Sequence, residues 1–466
     1  MLSLIATLAA LALASTTAQA SFQLGLQDPR LLAADPGVGY RALKAINGSV
    51  VRINVYWPAV APKPGVGSDP ANPLYRWTGT DAAVRTAARH HKRILLDVYG
   101  APAWTEGPNK PAPTVVREGT WAPNAALFGQ FMHAIAARYD GAFADPLNPG
   151  TNLPRIKDYE IWNEENLPLY LTAPNREAEY RALFVAGYAG VKAVDRGDRV
   201  AIGGLAPISY VGGPLGSASP LTMAADLMCL RRVGTHFVKV RGCRAVRFDA
   251  LAIHPYTLAA TPTKHAYHYD DLLVGDMQKL RTLLNSARHL HTIQGKPQLW
   301  VTEWAWLTNP PNAGLGDNAT TAARYVAYAM YEMWNTGTSM VVWQTIQDFA
   351  TAEPSGGGLE TEAGQPKPDM RAFGFPFIAS VQGKRGYAWG RVPLPGRRKV
   401  FVQHHTRRGW TTVETVRTSG DGTFQARFPA KGNGNYRARV QHGPTSLSYF
   451  SAKIPGQRTR QTVNPG

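Results

Sequence analysis

The chain of 466 residues predicts an α/β protein: a (β/α)8 TIM barrel followed by a small all-β sandwich. Three observations carry this expectation. From Phe22 to about Phe373, strand-like apolar runs alternate with helical patterns, as in a parallel sheet wrapped by helices. Eight such runs can be read, the number that closes a barrel. After Pro376 the helical patterns stop, and short strands follow one another across tight turns.

The first twenty residues stand apart from both units. Leu2 to Ala14 is an apolar run too short to span a bilayer, and Ala18-Gln19-Ala20 is a small-x-small cleavage pattern before Ser21. Residues 1–20 therefore read as a secretory signal peptide, although no Lys or Arg precedes the apolar run. No later stretch is apolar for long enough to span a membrane. An exported protein is expected, extracellular or associated with a cell wall.

The predicted barrel, residues 21–375, has strands at Phe22–Leu26, Val50–Val55, Arg93–Val98, Asp158–Trp162, Val200–Leu205, Ala250–Ile253, Leu299–Thr302 and Met340–Gln344. Helical patterns intervene, among them Ala125–Tyr139, Arg176–Val194, Leu272–His289 and Ala319–Trp334. In the second of these, Tyr180, Leu183, Phe184, Tyr188 and Val191 recur at helical spacing. Pro- and Gly-rich stretches at Pro62–Pro73 and Pro108–Pro123 are the expected cleft-wall loops.

Strands at Tyr387–Arg391, Lys399–His404, Trp410–Arg417, Thr423–Phe428, Asn435–Val440 and Ser446–Ser451 make up the predicted sandwich, residues 376–456. Ser419-Gly420-Asp421-Gly422 and Lys431-Gly432-Asn433-Gly434 supply hairpin turns. Phe373, Phe375 and Phe377 at the junction are expected to pack it onto the barrel. Residues 457–466 read as a disordered tail.

Cys229 and Cys243 are the two cysteines of the chain. In an oxidising compartment they are expected to pair, stapling the connection between the fifth and sixth strands; two unpaired buried thiols are the alternative. No Cys/His spacing suggests zinc. Charge is unevenly divided. From Pro376 onward sixteen Lys and Arg stand against only Glu414 and Asp421, so most of the chain's +18 lies there. Arg397-Arg398-Lys399 and Arg407-Arg408 concentrate it. Such a field suits an anionic cell-wall or polysaccharide surface, or is simply a solvated basic face. Nucleic acid is not the expected partner, because no binding motif accompanies the charge.

Two strings point to chemistry. Tyr159-Glu160-Ile161-Trp162-Asn163-Glu164 and Leu299-Trp300-Val301-Thr302-Glu303-Trp304 are strand-forming runs that each lead into a glutamate. A carboxylate at the end of a buried strand is costly unless it has a partner or a task. Two of them, about 140 residues or three βα units apart, would face each other across the barrel mouth from strands 4 and 7. Double-displacement hydrolysis of a glycosidic bond uses such a pair: one attacks the anomeric carbon, the other protonates the leaving oxygen and then activates water. Arg52 near strand 2 would keep the strand-7 carboxylate ionised. Asn163 could meet a sugar 2-hydroxyl, Tyr256 in His254-Pro255-Tyr256 could orient the nucleophile, and Trp343 could floor the subsite of the sugar to be cleaved.

Taken together these residues resemble clan A of the glycoside hydrolases, retaining (β/α)8-barrel enzymes, and within it families 5 and 39. The resemblance spans Phe22 to Phe373. In that clan Asn-Glu closes strand 4 with the acid/base and a Glu closes strand 7 as nucleophile, with an Arg on strand 2, His-x-Tyr on strand 6 and a Trp on strand 8. It implies Glu164 as acid/base and Glu303 as nucleophile, with Arg52, Asn163, His254, Tyr256 and Trp343 around the substrate. Two departures stand out. Glu165 occupies the position of a frequent proline and is expected to be a solvated neighbour, and Asp97-Val98-Tyr99 stands where family 5 often has a histidine.

The expected activity is retaining O-glycoside hydrolysis of a polysaccharide or glycoside, with a carbohydrate substrate and neither metal nor organic cofactor. The reading from another class is a non-catalytic cell-wall or polysaccharide-binding protein on a degenerate barrel.

Overall fold

The computed structural model describes residues 21–210, 215–349, 356–430 and 432–450. The signal-peptide and tail expectations fall outside them. Eight parallel strands close a barrel: β1 (Gln23–Gln27), β2 (Val50–Tyr56), β3 (Arg93–Tyr99), β4 (Asp158–Ile161), β5 (Arg199–Leu205), β6 (Ala250–Ile253), β7 (Gln298–Trp304) and β8 (Thr338–Gln344), with β8 hydrogen-bonded back to β1. Helices follow the strands in turn: α1 (Pro36–Ala45), α2 (Thr78–Arg89), α3 (Ala125–Arg138), α4 (Arg176–Val194), α5 (Pro220–Leu227), α6 (Met277–His289), α7 (Ala319–Asn335) and α8 (Pro368–Gly374). Asp35, Asn124, Asn175 and Asn318 start α1, α3, α4 and α7, each side chain accepting an otherwise unpaired backbone N–H of the first turn.

Period-2 alternation splits every strand between two environments. Tyr159 and Ile161 of β4 join the large apolar layer under the helices, while Asp158 and Glu160 belong to the barrel interior. A small inner cluster of Val50, Leu95, Ala201, Ala250, Ala252, Trp300, Met340 and Val342 fills that interior. At the base, the buried Asp158 carboxylate is gripped from both sides. Arg93 donates to it at 2.6 and 2.9 Å, and Arg199 at 2.7 and 3.1 Å. These paired contacts tie β3, β4 and β5 together below the site.

The β5–β6 connection carries α5 and a hairpin, Leu230–Val233 with His236–Lys239, closed by a disulfide between Cys229 and Cys243. Among the described residues no helix is long and apolar enough to cross a membrane.

Seven antiparallel strands follow: β9 (Phe377–Gln382), β10 (Arg385–Arg391), β11 (Lys399–Thr406), β12 (Gly409–Arg417), β13 (Thr423–Pro429), β14 (Asn435–Val440) and β15 (Tyr449–Phe450). They form two sheets, ordered β9-β10-β13 and β12-β11-β14-β15, around a core that includes Ala388, Val400, Val402, Phe424, Phe428 and Ala438. The phenylalanines at the junction do not act as one unit. Phe373 packs in the barrel core against Trp343, whereas Phe375 and Phe377 belong to the core between the sheets. Their spacing along the turn out of α8 sends them to opposite sides of the boundary. Trp389 of β10 is the bridging side chain instead, fully buried against Phe22, Tyr331 and Trp334.

Candidate active site

Residues of β2, β3, β4 and β7, and those just beyond β4 and β6, converge on one polar cluster above the inner apolar layer of the barrel. Arg52 of β2 lies at its centre with no exposed side-chain surface. Its Nε donates to Glu160 Oε2 at 2.8 Å, Nη1 to Glu303 Oε2 at 3.2 Å and to Gln27 Oε1, and Nη2 to Asn163 Oδ1 at 3.1 Å. Asp97 Oδ2 stands 2.9 Å from Nη2 in ion-pair contact, outside hydrogen-bond alignment. Burial by itself would weaken the guanidinium's hold on its proton, but Asp97, Glu160 and Glu303 outweigh it and raise the Arg52 pKa further.

Local backbone features bring the two glutamates to the mouth. Between Val301 and Trp304 of β7 the register against β8 slips by one residue. This bulge lets consecutive side chains, Thr302 and Glu303, both reach interior partners, which strict alternation would forbid. On the β4 side, Trp162 and Glu164 both adopt positive φ, 72° and 46°, a strained conformation for side chains of this size. The Glu164 N–H is received by Gly204 O at 2.9 Å. Gly204 itself has φ 93°, and a Cβ there would stand 3.0 Å from Glu160 Oε1, so only glycine fits this approach.

Glu303 is held at both oxygens, Oε1 by the Tyr256 hydroxyl at 3.0 Å and Oε2 by Arg52. Glu164 meets a different environment. Burial pushes its carboxyl up to about 7, with Arg52 opposing. Its Oε1 is 3.1 Å from His254 Nδ1, and His254 Nε2 is 3.2 Å from Thr302 Oγ1. Burial also drives the imidazole down to about 4, so it is neutral at neutral pH. One oxygen of each glutamate and a nitrogen of His254 all lie within 4.8 Å of one another. Those three are the donor set most like a metal site among the described residues; Tyr256 and Arg52 already engage both oxygens of Glu303. The side chains of Glu164 and Glu303 keep 14% and 12% exposure, while Arg52, Asp97, Glu160 and His254 keep none, so a ligand entering from solvent meets the two glutamates first.

The loops expected at the rim are organised by their own polar contacts. Glu106 accepts from the backbone N–H groups of Gly119, Thr120 and Trp121 at 3.0–3.2 Å, which folds the β3–α3 loop back on itself. A cavity of about 180 Å³ opens beside Tyr256, with Gln344, Gln347 and Asp348 among its lining.

Of the residues singled out in the sequence, Arg52, Asn163, Glu164, His254, Tyr256 and Glu303 are brought together. Trp343 is a correction. It is fully buried, its Nε1 donates to Gly357 O at 2.8 Å, and its ring packs edge-on against Trp304 with centroids 5.0 Å apart, so it offers no open face as a floor. Glu165 is a second correction: it has no exposure, and burial pushes its carboxyl well above the usual range, with Glu160 and Asp97 acting the same way. Sequence reading gave no role to Glu160, Thr302, Gln27 or Asp97. The available signal was polar residues two apart on inward faces, Asp158 with Glu160 and Arg52 with Asn54, in strands that are otherwise apolar.

No protein-family model matches the chain, and no curated protein matches it in sequence. Solved structures do match in shape. A monomeric beta-xylosidase from Caulobacter crescentus CB15 aligns with TM-score 0.53 at 14% identity, over 88% of this chain and 94% of that one. A family 39 glycoside hydrolase from Bacteroides cellulosilyticus WH2 aligns with TM-score 0.52 at 13% identity, over 88% and 81%. The fold is that of the family 39 glycoside hydrolases. A glucosidase from Croceicoccus marinus gives TM-score 0.51 at 12% identity, over 88% and 93%. A share of 88% exceeds what the barrel alone occupies, so the likeness runs on into the β-domain.

Proposed function

We propose that the chain is a retaining O-glycoside hydrolase in which Glu303 is the nucleophile and Glu164 the acid/base. The observation that carries the reading is the asymmetry of two carboxyls with oxygens within 4.8 Å of each other. Oxygens that approach so closely fit the ~5–5.5 Å carboxyl separation of retaining enzymes better than the ~6.5–9.5 Å of inverting ones. Arg52 and Tyr256 each hydrogen-bond one oxygen of Glu303 and orient it, whereas burial raises Glu164 to about 7 and favours its protonated form. Glu303 attacks the anomeric carbon as the glycosidic C–O bond breaks and the Glu164 proton passes to the leaving oxygen. A water then attacks the same carbon, its proton returns to Glu164, and the Glu303 ester is released. Asn163 gives its carbonyl to Arg52, so its amide N–H groups are the ones to meet the sugar 2-hydroxyl.

Arylxylosides and arylglucosides are the first substrates to screen, given the activities named for the structural neighbours. Glu303→Gln should abolish turnover. Glu164→Ala should spare the first step for good leaving groups and be partly rescued by azide with retained configuration. Azide rescue of the Glu303 variant instead would reverse the two roles, and no turnover by the unmodified protein on any glycoside would sink the assignment.

Export accounts for the paired cysteines and for the pattern of residues 1–20. We assign the basic β-domain a role in attachment to an anionic polysaccharide. Arg397, Arg398, Arg407 and Arg408 are exposed, and none is in an ion pair among the described residues. Changing all four to Glu should preserve arylglycoside turnover and abolish salt-sensitive binding to an anionic polymer such as polygalacturonate. Unchanged binding would make the face mere solvated surface.

A further inference from the structure

Thr302 has one hydroxyl proton, and the barrel interior fixes where it goes. Oγ1 lies 2.6 Å from Glu160 Oε1, while Glu160 Oε2 is taken by Arg52 Nε at 2.8 Å. The hydroxyl therefore donates to the ion-paired carboxylate, and Thr302 Oγ1 is left to accept from His254 Nε2 at 3.2 Å. We propose that Glu160 and Thr302 are positioning residues that hold His254 in the tautomer with its proton on Nε2, so that Nδ1 accepts a hydrogen bond from the protonated Glu164 carboxyl. The inference rests on reading Glu164 as the acid/base and explains how that site keeps its proton.

The chain runs Glu164 to His254 to Thr302 to Glu160, every hydrogen bond pointing the same way and ending on a carboxylate that Arg52 neutralises. All three partners beyond Glu164 are buried, so no water competes for the imidazole. The charged groups that act on His254 are Glu303 and Glu160, which favour its protonation, and Arg52, which opposes it; burial prevails and the ring stays neutral. Arg52 is the cation that acts on Glu164, and Asp97, Tyr170 and Tyr256 also sense its charge. For catalysis the carboxyl gives up its hydrogen bond to Nδ1 and passes that one proton to the leaving oxygen, after which the Glu164 Oε1 faces a bare lone pair on Nδ1. That repulsion favours recovery of a proton from the incoming water, so the same relay serves both halves of the reaction.

The relay predicts a pH signature that a merely structural role would not give. Thr302→Val removes the acceptor at Nε2, freeing the imidazole to turn its N–H toward Glu164 and stabilise the carboxylate. The alkaline limb of kcat/KM on arylglycosides should move down by about one pH unit, and Thr302→Ser should restore it. In the intact protein, 15N labelling of histidine, with His254 assigned by difference from His254→Gln, should show a neutral ring protonated at Nε2 at pH 6. That spectrum needs no turnover, so it judges the relay even if the glycosidase reading fails. A ring protonated at Nδ1, an imidazolium at that pH, or a Thr302→Val limb unmoved from the parent would overturn the proposal.

Discussion

Arg52 and Glu160 meet inside the barrel with both side chains wholly buried, Nε donating to Oε2 at 2.8 Å. The ion pair is the hub of the site, because the same guanidinium also touches Gln27, Asn163, Asp97 and Glu303. Burying such charges is tolerable only while each has its counter-charge, and removing one partner leaves the others stranded in low dielectric. Arg52→Met should therefore lower stability by about 3–5 kcal/mol. Arg52→Lys should recover little, since one ammonium cannot reach the oxygens that a planar fork serves. Urea unfolding monitored by tryptophan fluorescence measures both, and a loss under about 1 kcal/mol for Arg52→Met would show that the carboxyls protonate or re-pair without it.

How much of this hub was legible in sequence depends on the kind of signal each part leaves. The eight strands are found within a residue or two of their expected positions, because an apolar run bounded by turns is a local property. Glu164 and Glu303 stood out because each ends such a run. Glu160 and Thr302 did not, since they sit inside the same runs, four places and one place before the glutamates, and only the closed barrel reveals which neighbours face inward. The bulge at Thr302–Glu303 has no local signature at all; it is a mismatch between β7 and β8, which are separate in sequence. Trp343 was misjudged for a similar reason. Its residue type suggested a sugar platform, but Gly357 of a loop more than ten residues later closes over its indole N–H.

The desolvated acid makes a second prediction, on pH. Glu164 is raised from 4.5 to about 7 in the folded chain. The folded state thus keeps a proton that the unfolded chain loses as pH rises through the ordinary carboxyl range. The associated stability is fully present below pH 4.5 and declines as pH rises toward about 7. Glu164→Gln cannot titrate, so its stability should gain on the parent's across that window and run parallel to it outside. Urea midpoints at half-unit pH steps give the comparison. A difference between the two that stays flat from pH 4.5 to 7 would mean the carboxyl is hydrated after all.

The disulfide offers a third. Cys229 and Cys243 are 14 residues apart and enclose the hairpin that precedes β6, whose Arg232 pairs with Asp270 of the β6–α6 loop at 2.7 Å. A loop of that length contributes about 3 kcal/mol in the chain-entropy model. Replacing both cysteines with Ser should lower Tm by about 5 °C while arylglycoside kcat/KM stays within about twofold of the parent. Calorimetry in the presence of reductant should reproduce the shift in the parent chain. If activity fell with stability intact, the hairpin would act on the mouth through its Arg232–Asp270 contact with the β6–α6 loop.

The join between barrel and β-domain gives the last prediction. Trp389 of β10 is fully buried, with Trp334 and Tyr331 of α7 at 5.4 and 5.6 Å between ring centroids and Phe22 at 6.3 Å. Around it, polar contacts close the seam. Asp421 accepts from the Phe22 N–H at 2.8 Å, and the buried Arg391 donates to the carbonyls of Ile46, Asn47 and Gly374 at 3.1–3.4 Å. Those carbonyls end α1 and α8, so the guanidinium meets groups that the helices leave unpaired. A β-domain acting only as a tethered binding module would have an exposed, polar boundary and would come away without harm. Around Trp389 this boundary is apolar and buried. Deleting residues 376 onward should therefore expose Trp334 and Tyr331 and cause the barrel to aggregate. Because deletion also cuts the chain beside α8, Trp389→Ala is the cleaner test: it should cost about 3–5 kcal/mol and split a single calorimetric transition into two, the barrel and the sheets melting separately. A single transition displaced by less than about 2 °C would mean that the seam is held by its hydrogen bonds and that the tryptophan merely fills space.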